Sequence, residues 1–233
     1  MPSGSVLVTG GTGYIGSFTA LALLEAGYKV VVADNLYNSS AEALRRIELI
    51  SGKKAEFAQV DVTDEAAFDK VFEAHPDIDS VIHFAALKVA TGKREKLLVF
   101  GDDYKSHDGT AIRDYIHILD LADGHLKALN YLRANNPGVR AWNLGTGRGS
   151  TVYEMVRAFS ASVGRELPYE VAPRRAGDVL NLTANPTRAN TELGWKAERT
   201  LEQACDDLWR WTKNNPQGYR QEPPAELLEQ LKK

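Results

Sequence analysis

Three glycines near the start of the sequence have the spacing of a phosphate-binding turn. Gly10, Gly13 and Gly16 lie where the short apolar run 5–9 gives way to a helical pattern of apolar residues over 14–26. Glycine permits a tight turn and lets the backbone approach a pyrophosphate closely, while the N-terminus of the next helix offers N–H groups to the same anion. A glycine cluster alone is a weak signal, so the prediction depends on the strand and the helix that flank it.

An acidic residue stands where such a turn needs one. Asp34 ends the second predicted strand, which begins at Lys29, and it follows Gly16 by 18 residues. In dinucleotide-binding βαβ units an acid at this distance accepts hydrogen bonds from the adenosine ribose, and its charge repels a 2′-phosphate. The sequence therefore favours NAD over NADP. Arg45 and Arg46 would weaken this preference slightly, and we interpret both as part of a solvated helix face.

Two arginines in the second part of the chain have side chains suited to another anion. A planar guanidinium donates two hydrogen bonds at once to phosphate oxygens, and Arg113 and Arg175 stand in a chain whose net charge is only −3. The alternative is that both are surface arginines paired with Asp114 and Asp178. On residue types alone we favour this alternative, because exposed ion pairs are an ordinary feature of protein surfaces.

The elements that must position these residues alternate between strands and helices. Strands are predicted at 5–9, 29–34, 56–60 and 80–84, with helices between them. This alternation predicts a parallel sheet with right-handed crossovers, shorter than the six strands of a complete dinucleotide-binding sheet. The expected fold class is α/β, a truncated Rossmann-like parallel sheet with a smaller C-terminal α/β substrate domain. We expect domains at 1–90 and 91–233, with a strand at 141–144 that returns to the Rossmann-like sheet.

Composition excludes several other classes of protein. The 233 residues are 43% hydrophobic and 25% charged, which is typical of a globular protein, and no apolar stretch approaches the ~18 residues that a membrane span needs. The charge pattern has no concentrated basic face for nucleic acid. The single cysteine, Cys205, excludes a disulfide framework, and His117 and His125 lack the spacing of a chelating pair. We therefore expect a cytoplasmic protein with no metal, nucleic-acid or membrane partner.

The glycine turn, the acid and the residues around them are similar to a known family. Residues 9–16 and 34–40, extended by 61–62 and 84–88, resemble the UDP-galactose (UDP-glucose) 4-epimerases of the extended short-chain dehydrogenase/reductase superfamily. By this resemblance NAD is the cofactor, with its adenosine end near 34–40 and 61–62 and its nicotinamide end near 84–88. The implied cofactor-binding residues are Gly10, Gly13, Tyr14, Ile15, Gly16, Asp34, Asn35, Asn38, Ser39, Asp61, Val62, Phe84, Ala85, Ala86 and Lys88.

The second part of the chain resembles the nucleotide-sugar pocket of the same family. The matching stretches are 101–117, 143–147 and 173–178. The implied substrate-binding residues are Val99 and Phe100 against uracil, Arg113 and Arg175 on the diphosphate, Tyr115 beside it, and Asp178 at the uridine ribose. In this context we prefer a diphosphate of a UDP-sugar, rather than surface ion pairs, as the partner of the two arginines.

The resemblance is interrupted inside the chain. Matching stops near Lys88 and resumes between Val89 and Gly92, where the family has about a hundred further residues, roughly two βα units with their loops. In the family this segment holds a Tyr-x-x-x-Lys pair on one helix, whose lysine lowers the tyrosine pKa so that the phenolate takes a proton from the sugar hydroxyl. None of the nine tyrosines here has a lysine four positions later, and only Tyr153 has a basic residue there, Arg157.

We therefore predict that this chain has no catalytic residues. The expected function is that of a UDP-glucose/galactose 4-epimerase-like protein that binds NAD, has a UDP-sugar as its second candidate ligand, and is catalytically inactive or strongly impaired. Two alternatives stay open: a weak UDP-glucose 4-epimerase of galactose metabolism with a substitute base, and a truncated epimerase without function. Loss of the next strand also leaves 81–84 as an apolar edge, which favours self-association.

Overall fold

The computed structural model describes residues 4–85, 96–222 and 225–230. The chain divides into two compact units, the first formed by Met1–Ala90 with Asn214–Lys233 and the second by Thr91–Lys213. The C-terminal residues therefore group with the first unit, whereas the sequence pattern assigned everything after residue 90 to the second.

Four parallel strands form the sheet of the first unit, in the order β3-β2-β1-β4. They are β1 (Ser5–Thr9), β2 (Lys29–Asp34), β3 (Glu56–Gln59) and β4 (Ile78–His83). All five residues of β1, an inner strand, are buried, as in parallel sheets whose two faces are covered. The predicted parallel Rossmann-like sheet is confirmed, and the carboxyl ends of its strands meet at one edge.

Three helices connect these strands: α1 (Tyr14–Glu25), α2 (Glu42–Ser51) and α3 (Glu65–Ala74). α3 begins where the Asp64 side chain accepts a hydrogen bond from the backbone N–H of Ala67, which satisfies one of the first-turn donors. α2 ends at Gly52, whose φ of +66° is the left-handed conformation that terminates many helices. One apolar cluster joins α3 to the sheet through Leu7, Val31, Ala33 and Val71.

Short strands and longer helices make up the second unit. Its strands are β5 (Leu97–Phe100), β6 (Ile112–Arg113), β7 (Ser150–Thr151), β8 (Tyr169–Ala172) and β9 (Asn181–Leu182). β5 pairs with β8 in parallel, while β6 lies between an antiparallel β7 and a parallel β9. The other α-helices of the described residues are α4 (Ile118–Asn135), α5 (Val152–Val163), α6 (Thr187–Glu192), α7 (Leu201–Asn214) and, in the first unit, α8 (Ala225–Gln230), which a short 3-10 helix at Gly218–Arg220 precedes.

The strand predicted at 141–144 is wrong. These residues have no strand hydrogen bonding, and the four-stranded sheet contains no described strand beyond β4. The segment contributes side chains to packing instead. Trp142 and Leu144 pack against the apolar cluster that contains Trp195, and the Trp142 indole N–H donates to Glu192 at 2.8 Å. An extended apolar segment becomes a strand only where a neighbour completes its backbone hydrogen bonds, and no described strand lies alongside this one.

Other features of the described residues are structural. No helix among them has both the length and the apolar character needed to cross a lipid bilayer. In the same residues no three His, Cys, Asp or Glu side chains come together as a metal site.

Cys205 is buried, and burial, followed by the charges of Asp206 and Glu202, raises the pKa of its thiol to about 11. A thiol in that state is a poor nucleophile at neutral pH.

Candidate functional site

The glycine turn joins β1 to α1 with backbone packed against backbone. Gly10 has φ +67°, and its N–H donates to the carbonyl of Ala33 at 2.8 Å. A Cβ on Gly10 would lie 2.7 Å from the backbone nitrogen of Ala85, and a Cβ on Gly16 would overlap the carbonyl oxygen of Gly10. Gly13 closes the turn by donating to that same oxygen at 3.1 Å. Only glycine fits the first and last of these positions.

The first turn of α1 opens onto this glycine turn. Gly13 is the N-cap residue and makes no side-chain capping bond, and no acidic residue occupies the first helical turn. Predicted cofactor residues Tyr14, Ile15 and Gly16 form that turn, whose backbone N–H groups have no intrahelical acceptor. The partial positive charge of a helix N-terminus is therefore left to be neutralised by an anion, as a pyrophosphate would do.

Asp34 lies at the end of β2 beside the glycine turn and is 8% exposed. One carboxylate oxygen accepts from the Thr12 N–H at 3.1 Å, and the other accepts from the Leu36 N–H at 2.9 Å and the Ser39 hydroxyl at 3.1 Å. A carboxylate has about four acceptor positions, so these three donors orient it and leave a position for a ribose hydroxyl. This arrangement fits the adenosine end of a dinucleotide.

A second loop supports the one that follows Asp34. The Asn35 amide donates to Asp61 at 2.9 Å, and the N–H of Tyr37 donates to the Asn35 side chain at 3.0 Å. Hydrogen bonds from Thr63, first from its backbone N–H and then from its hydroxyl, lower the pKa of Asp61, with a further contribution from Asn35. The structure thus brings Asn35, Ser39 and Asp61 into the surroundings of Asp34. The other two predicted residues of these loops are an exposed Asn38 and a half-buried Val62.

The end of β4 supplies the opposite side of the glycine turn. The Phe84 N–H donates to the carbonyl of Thr9 at 3.0 Å, and the His83 ring nitrogen Nδ1 lies 2.7 Å from the Thr9 hydroxyl. Phe84 and Ala85 therefore reach the turn, because the Ala85 backbone is what excludes a side chain at Gly10. The last two predicted cofactor residues, Ala86 and Lys88, lie outside the described residues.

Four predicted substrate residues come together in the second unit. Arg175 donates from Nε to Asp178 at 2.8 Å and from its terminal nitrogen to the other carboxylate oxygen at 3.2 Å. A terminal nitrogen of Arg113 lies 3.5 Å from the same carboxylate. The Arg175 guanidinium also stacks 4.6 Å from the centre of the Phe100 ring. These residues form a cluster of two cations, one anion and one aromatic face.

The ionic partners of this cluster differ in part from both interpretations of the sequence. Both arginines pair with Asp178, and the hydrogen bond from Arg175 is the main cause that lowers the pKa of this carboxyl. Asp114 pairs with neither arginine and instead accepts from the N–H groups of Thr146 and Gly147 at 3.0 Å. A diphosphate would therefore meet guanidinium groups that already have an anionic partner.

The other two predicted substrate residues, Val99 and Tyr115, differ in burial. Val99 is 1% exposed, so any contact of Val99 with a uracil ring would come through its backbone. Tyr115 is half-buried, and burial raises the pKa of its hydroxyl although the charge of Arg113 opposes that shift. Neither side chain reaches the Arg113–Asp178–Arg175 cluster through a hydrogen bond within the described residues.

Tyr153 and Arg157, the one Tyr-x-x-x-basic pair, do not form an acid–base pair. The Tyr153 ring lies 5.3 Å from the ring of Tyr169, and Arg157 faces Asp108 at 3.6 Å. Burial, followed by nearby Tyr169 and acidic side chains, raises the pKa of Tyr153. A tyrosine that takes a proton from a sugar hydroxyl needs the opposite shift.

Two residues of the first unit have roles that the sequence did not indicate. Thr12 is fully buried, and besides binding Asp34 through its N–H it places its hydroxyl 2.6 Å from that of Ser39. A polar residue between the glycines was the only signal for it. The interpretation of Arg46 as part of a solvated face is wrong, since it is 9% exposed, whereas the side chain of Arg45 is 42% exposed. Its burial depends on residues far away in sequence.

Family models match the chain in two consecutive parts. Residues 6–95 match the NAD dependent epimerase/dehydratase family, and residues 87–208 match GDP-mannose 4,6 dehydratase. The change from one model to the other falls at 87–95, where the sequence predicts the missing segment. Together the two matches extend from residue 6 to residue 208.

Individual relatives match the chain almost from end to end. The UDP-glucose 4-epimerase of Schizosaccharomyces pombe is 38% identical over 341 residues, covering 93% of this chain and 96% of the relative. That of Bacillus subtilis is 35% identical, covering 93% and 99%. The alignment with the Schizosaccharomyces pombe enzyme is 341 residues long, 108 more than the 233 residues of this chain. The residues that this chain lacks relative to that enzyme therefore lie inside the aligned region.

Solved structures give the same answer. The UDP-glucose 4-epimerase of Bifidobacterium longum in complex with NAD+ and UDP has a TM-score of 0.85 at 28% identity, covering 92% of this chain and 99% of that chain. The enzyme from Stenotrophomonas maltophila with bound NAD and formylated UDP-arabinopyranose has a TM-score of 0.82 at 27% identity, covering 90% and 98%. This chain therefore belongs to the UDP-glucose 4-epimerase family of the extended short-chain dehydrogenases/reductases.

Proposed function

We propose that this chain binds NAD in its first unit. The pyrophosphate lies at the Gly10–Gly16 turn, and the adenosine ribose donates to Asp34. The observation that carries this proposal is the buried Asp34 carboxylate, which three neutral donors orient without neutralising its charge. The glycine turn beside it has no room for side chains, which suits close approach of a phosphate.

The same carboxylate supports a preference for NAD over NADP. A 2′-phosphate would meet the negative charge of Asp34 with no cation released to compensate it. Arg46 is engaged by Glu42, Asn215 and the carbonyl of Gln221, and Arg45 by Glu42 and Glu222. Arg45 and Arg46, the two residues that would weaken the preference for NAD, therefore already have partners.

Catalysis is proposed to be absent or strongly impaired. Bound NAD would supply a hydride acceptor for a sugar carbinol. The hydroxyl proton of that carbinol must pass to a base whose pKa lies near the working pH, which for a tyrosine means a lowered pKa. The sequence has no Tyr-x-x-x-Lys pair, and Tyr153 has a raised pKa and an arginine directed to Asp108. Loss of general acid–base catalysis alone lowers a rate by ~10²–10⁴-fold, and loss of substrate positioning lowers it further.

A UDP-sugar is the second proposed ligand, at the cluster of Phe100, Arg113, Arg175 and Asp178. Two guanidinium groups and an aromatic face suit a diphosphate and a uracil ring. Asp178 must exchange the arginines for a ribose hydroxyl when the diphosphate arrives. Because this exchange replaces one set of ionic contacts by another, we expect weaker binding of the UDP-sugar than of NAD.

Calorimetric titration of NAD into the purified protein, with a UDP-galactose turnover assay on the same sample, tests the proposal. Saturable NAD binding at micromolar concentration without turnover is the expected result. Binding with turnover would favour a weak epimerase with a substitute base, which single Tyr→Phe substitutions would then locate. Absence of NAD binding would contradict the proposal and favour a truncated epimerase without function.

A further inference from the structure

Arg46 is a buried arginine whose three guanidinium nitrogens are all engaged. On α2, Nε donates to Glu42 at 3.0 Å, while the two terminal nitrogens reach the Asn215 side chain at 2.6 Å and the Gln221 carbonyl at 2.8 Å. Arg46 and Asn215 are 9% and 7% exposed. A charge is removed from water at this degree of burial only where hydrogen bonds and a counter-charge replace its hydration. Here Glu42 supplies the counter-charge.

Residues 214–222 fold around this guanidinium and form what we call the clasp. The Tyr219 ring lies 5.2 Å from the guanidinium carbon, within the range of a cation–π contact. The clasp is closed on itself, since the Gln221 amide donates to the Asn214 carbonyl at 3.0 Å and the Gly218 N–H donates to the Asn215 carbonyl at 2.8 Å. Arg46 therefore contributes two hydrogen bonds and one aromatic contact between α2 and the clasp, and Arg45 adds an ion pair with Glu222.

The helix turn that carries Arg46 leads directly to the ribose-binding acid. The Glu42 N–H donates to the Ser40 hydroxyl at 3.2 Å, and the Ala43 N–H donates to the Ser40 carbonyl at 3.1 Å. The next residue toward the amino terminus, Ser39, donates to Asp34 at 3.1 Å. A continuous series of contacts therefore runs from the clasp through Arg46 and the start of α2 to the Asp34 carboxylate.

We infer that Arg46 is a positioning residue for the adenosine ribose, because the clasp that docks on it fixes the start of α2 and, through Ser39, the orientation of Asp34. The inference rests on the proposed binding of NAD. Arg46 itself touches no ligand in this role. Its effect is on the position of a carboxylate that has to meet ribose hydroxyl groups within hydrogen-bond distance.

The chain offers a matched control for this inference. Arg45 lies on the same helix and also pairs with Glu42, and it contacts Glu222 at 2.5 Å. Its side chain is exposed, so Arg45→Ala removes a neighbouring positive charge and a surface contact of the clasp while the buried contacts remain. Asn215→Ala removes one acceptor of Arg46 without altering α2 and provides a milder second variant where Arg46→Ala does not fold.

The experiment compares ADP with 2′-deoxy-ADP, which lacks one hydroxyl that Asp34 would bind. We expect the wild-type protein to prefer ADP, Arg46→Ala to weaken ADP binding about tenfold, the size typical of groups that orient a ligand-binding residue, and 2′-deoxy-ADP binding to fall much less. Asn215→Ala follows the same pattern with a smaller change, and Arg45→Ala stays within about twofold of wild type. Equal loss for both nucleotides would indicate general destabilisation and overturn the inference.

Amide hydrogen exchange gives a readout that needs no ligand. The N–H of Leu36, bound to Asp34, and the N–H of Ala43, bound to Ser40, are expected to exchange faster in Arg46→Ala and Asn215→Ala than in Arg45→Ala. Unchanged amide exchange in both Arg46→Ala and Asn215→Ala would overturn the inference. If the wild-type protein binds neither NAD nor ADP, the proposed function fails, while the exchange rates still decide whether the clasp holds the Asp34 loop.

Discussion

The two candidate ligand sites differ in the partners of their central carboxylates. In the first unit, Asp34 is buried and receives three hydrogen bonds from neutral N–H and O–H groups. In the second unit, Asp178 lies between two guanidinium groups, and its charge is already balanced. Under the proposed function, the first carboxylate keeps an acceptor position for a ribose hydroxyl, whereas the second would have to release its arginines before a diphosphate could use them. Identical side chains thus produce a formed site in one unit and a rearranging site in the other.

The sharpest test of the formed site is the turn itself. Gly10→Ala introduces a side chain at φ +67° and 2.7 Å from the Ala85 nitrogen, so NAD binding should be lost and the first unit destabilised. Gly27→Ala is the control, because Gly27 also has a positive φ of +89° but open space around it. Backbone strain alone amounts to about 1–2 kcal/mol. Urea unfolding and NAD titration of both variants separate backbone strain from steric overlap. Equal losses of stability and of NAD affinity in the two variants would contradict the close approach of the Ala85 backbone to Gly10.

Next in size is removal of the Asp34 charge. Asp34→Asn keeps the side-chain volume but replaces one acceptor oxygen with an N–H₂ group that faces one or two of the three donors, which should weaken NAD binding by about 10–100-fold. The discrimination against NADP should shrink at the same time, since no carboxylate repels the 2′-phosphate. Titrations with both dinucleotides check this. An unchanged NAD to NADP ratio would mean that the ribose lies elsewhere.

A smaller effect is expected in the second unit, with the opposite sign. Asp178→Asn removes the anion that occupies Arg113 and Arg175, so inorganic pyrophosphate should bind about two- to fivefold tighter than to wild type. The gain should decline at high salt, because Arg175 is exposed and Arg113 and Asp178 are only half-buried. Titration of pyrophosphate at low and high ionic strength measures both. Weaker binding in this variant would show that Asp178 orients the arginines for phosphate rather than competing with it.

The outer edge of the first sheet supplies the mildest test, which concerns association rather than ligands. Within the described residues β4 pairs only with β1, and Val81 on it is 51% exposed. We propose that this edge supports weak self-association, so Val81→Lys should shift the protein toward monomer. Sedimentation over a range of protein concentrations measures the shift, with Val139→Lys, at an exposed residue outside any strand, as the control. Equal effects of the two lysines would contradict the proposal.

Local patterns predicted the first unit well because its features are local. The Gly10–Gly16 turn and Asp34 lie within one βαβ unit, where neighbours in sequence are also neighbours in space. The strand expected at 141–144 failed because strand formation depends on a partner strand, and the pattern of one segment contains no information on its partner. The prediction that Arg46 lies on a solvated face was wrong for a related reason, since its hydrogen-bond acceptors on the clasp are remote in sequence.

Residue types in the second unit were easier to predict than pairings. Arginine chemistry identified Arg113 and Arg175 as candidate anion ligands, and the structure brings both to one carboxylate. The choice of Asp178 rather than Asp114 follows from the fold, because Asp114 is used to accept the backbone N–H groups of 146–147. Asp114 accepts four hydrogen bonds in all, from the N–H groups of Thr146, Gly147 and Ala184 and from the Thr146 hydroxyl, which fill its acceptor positions. Sequence spacing gives no sign of that competition.

The contact between Arg46 and the clasp also sets an order of events for a chain leaving the ribosome. Arg46 and Asn215 are 169 residues apart, and synthesis at ~5–20 residues per second puts roughly 8 to 35 s between their emergence. Throughout that interval β1, α1 and β2 can pair and pack, while the guanidinium on α2 stays hydrated. The nascent first unit can therefore form its sheet and the local Arg46–Glu42 pair early, while burial of that pair by the clasp comes last. If the clasp orients Asp34 as inferred, formation of the candidate nucleotide site follows this long-range step rather than the local ones.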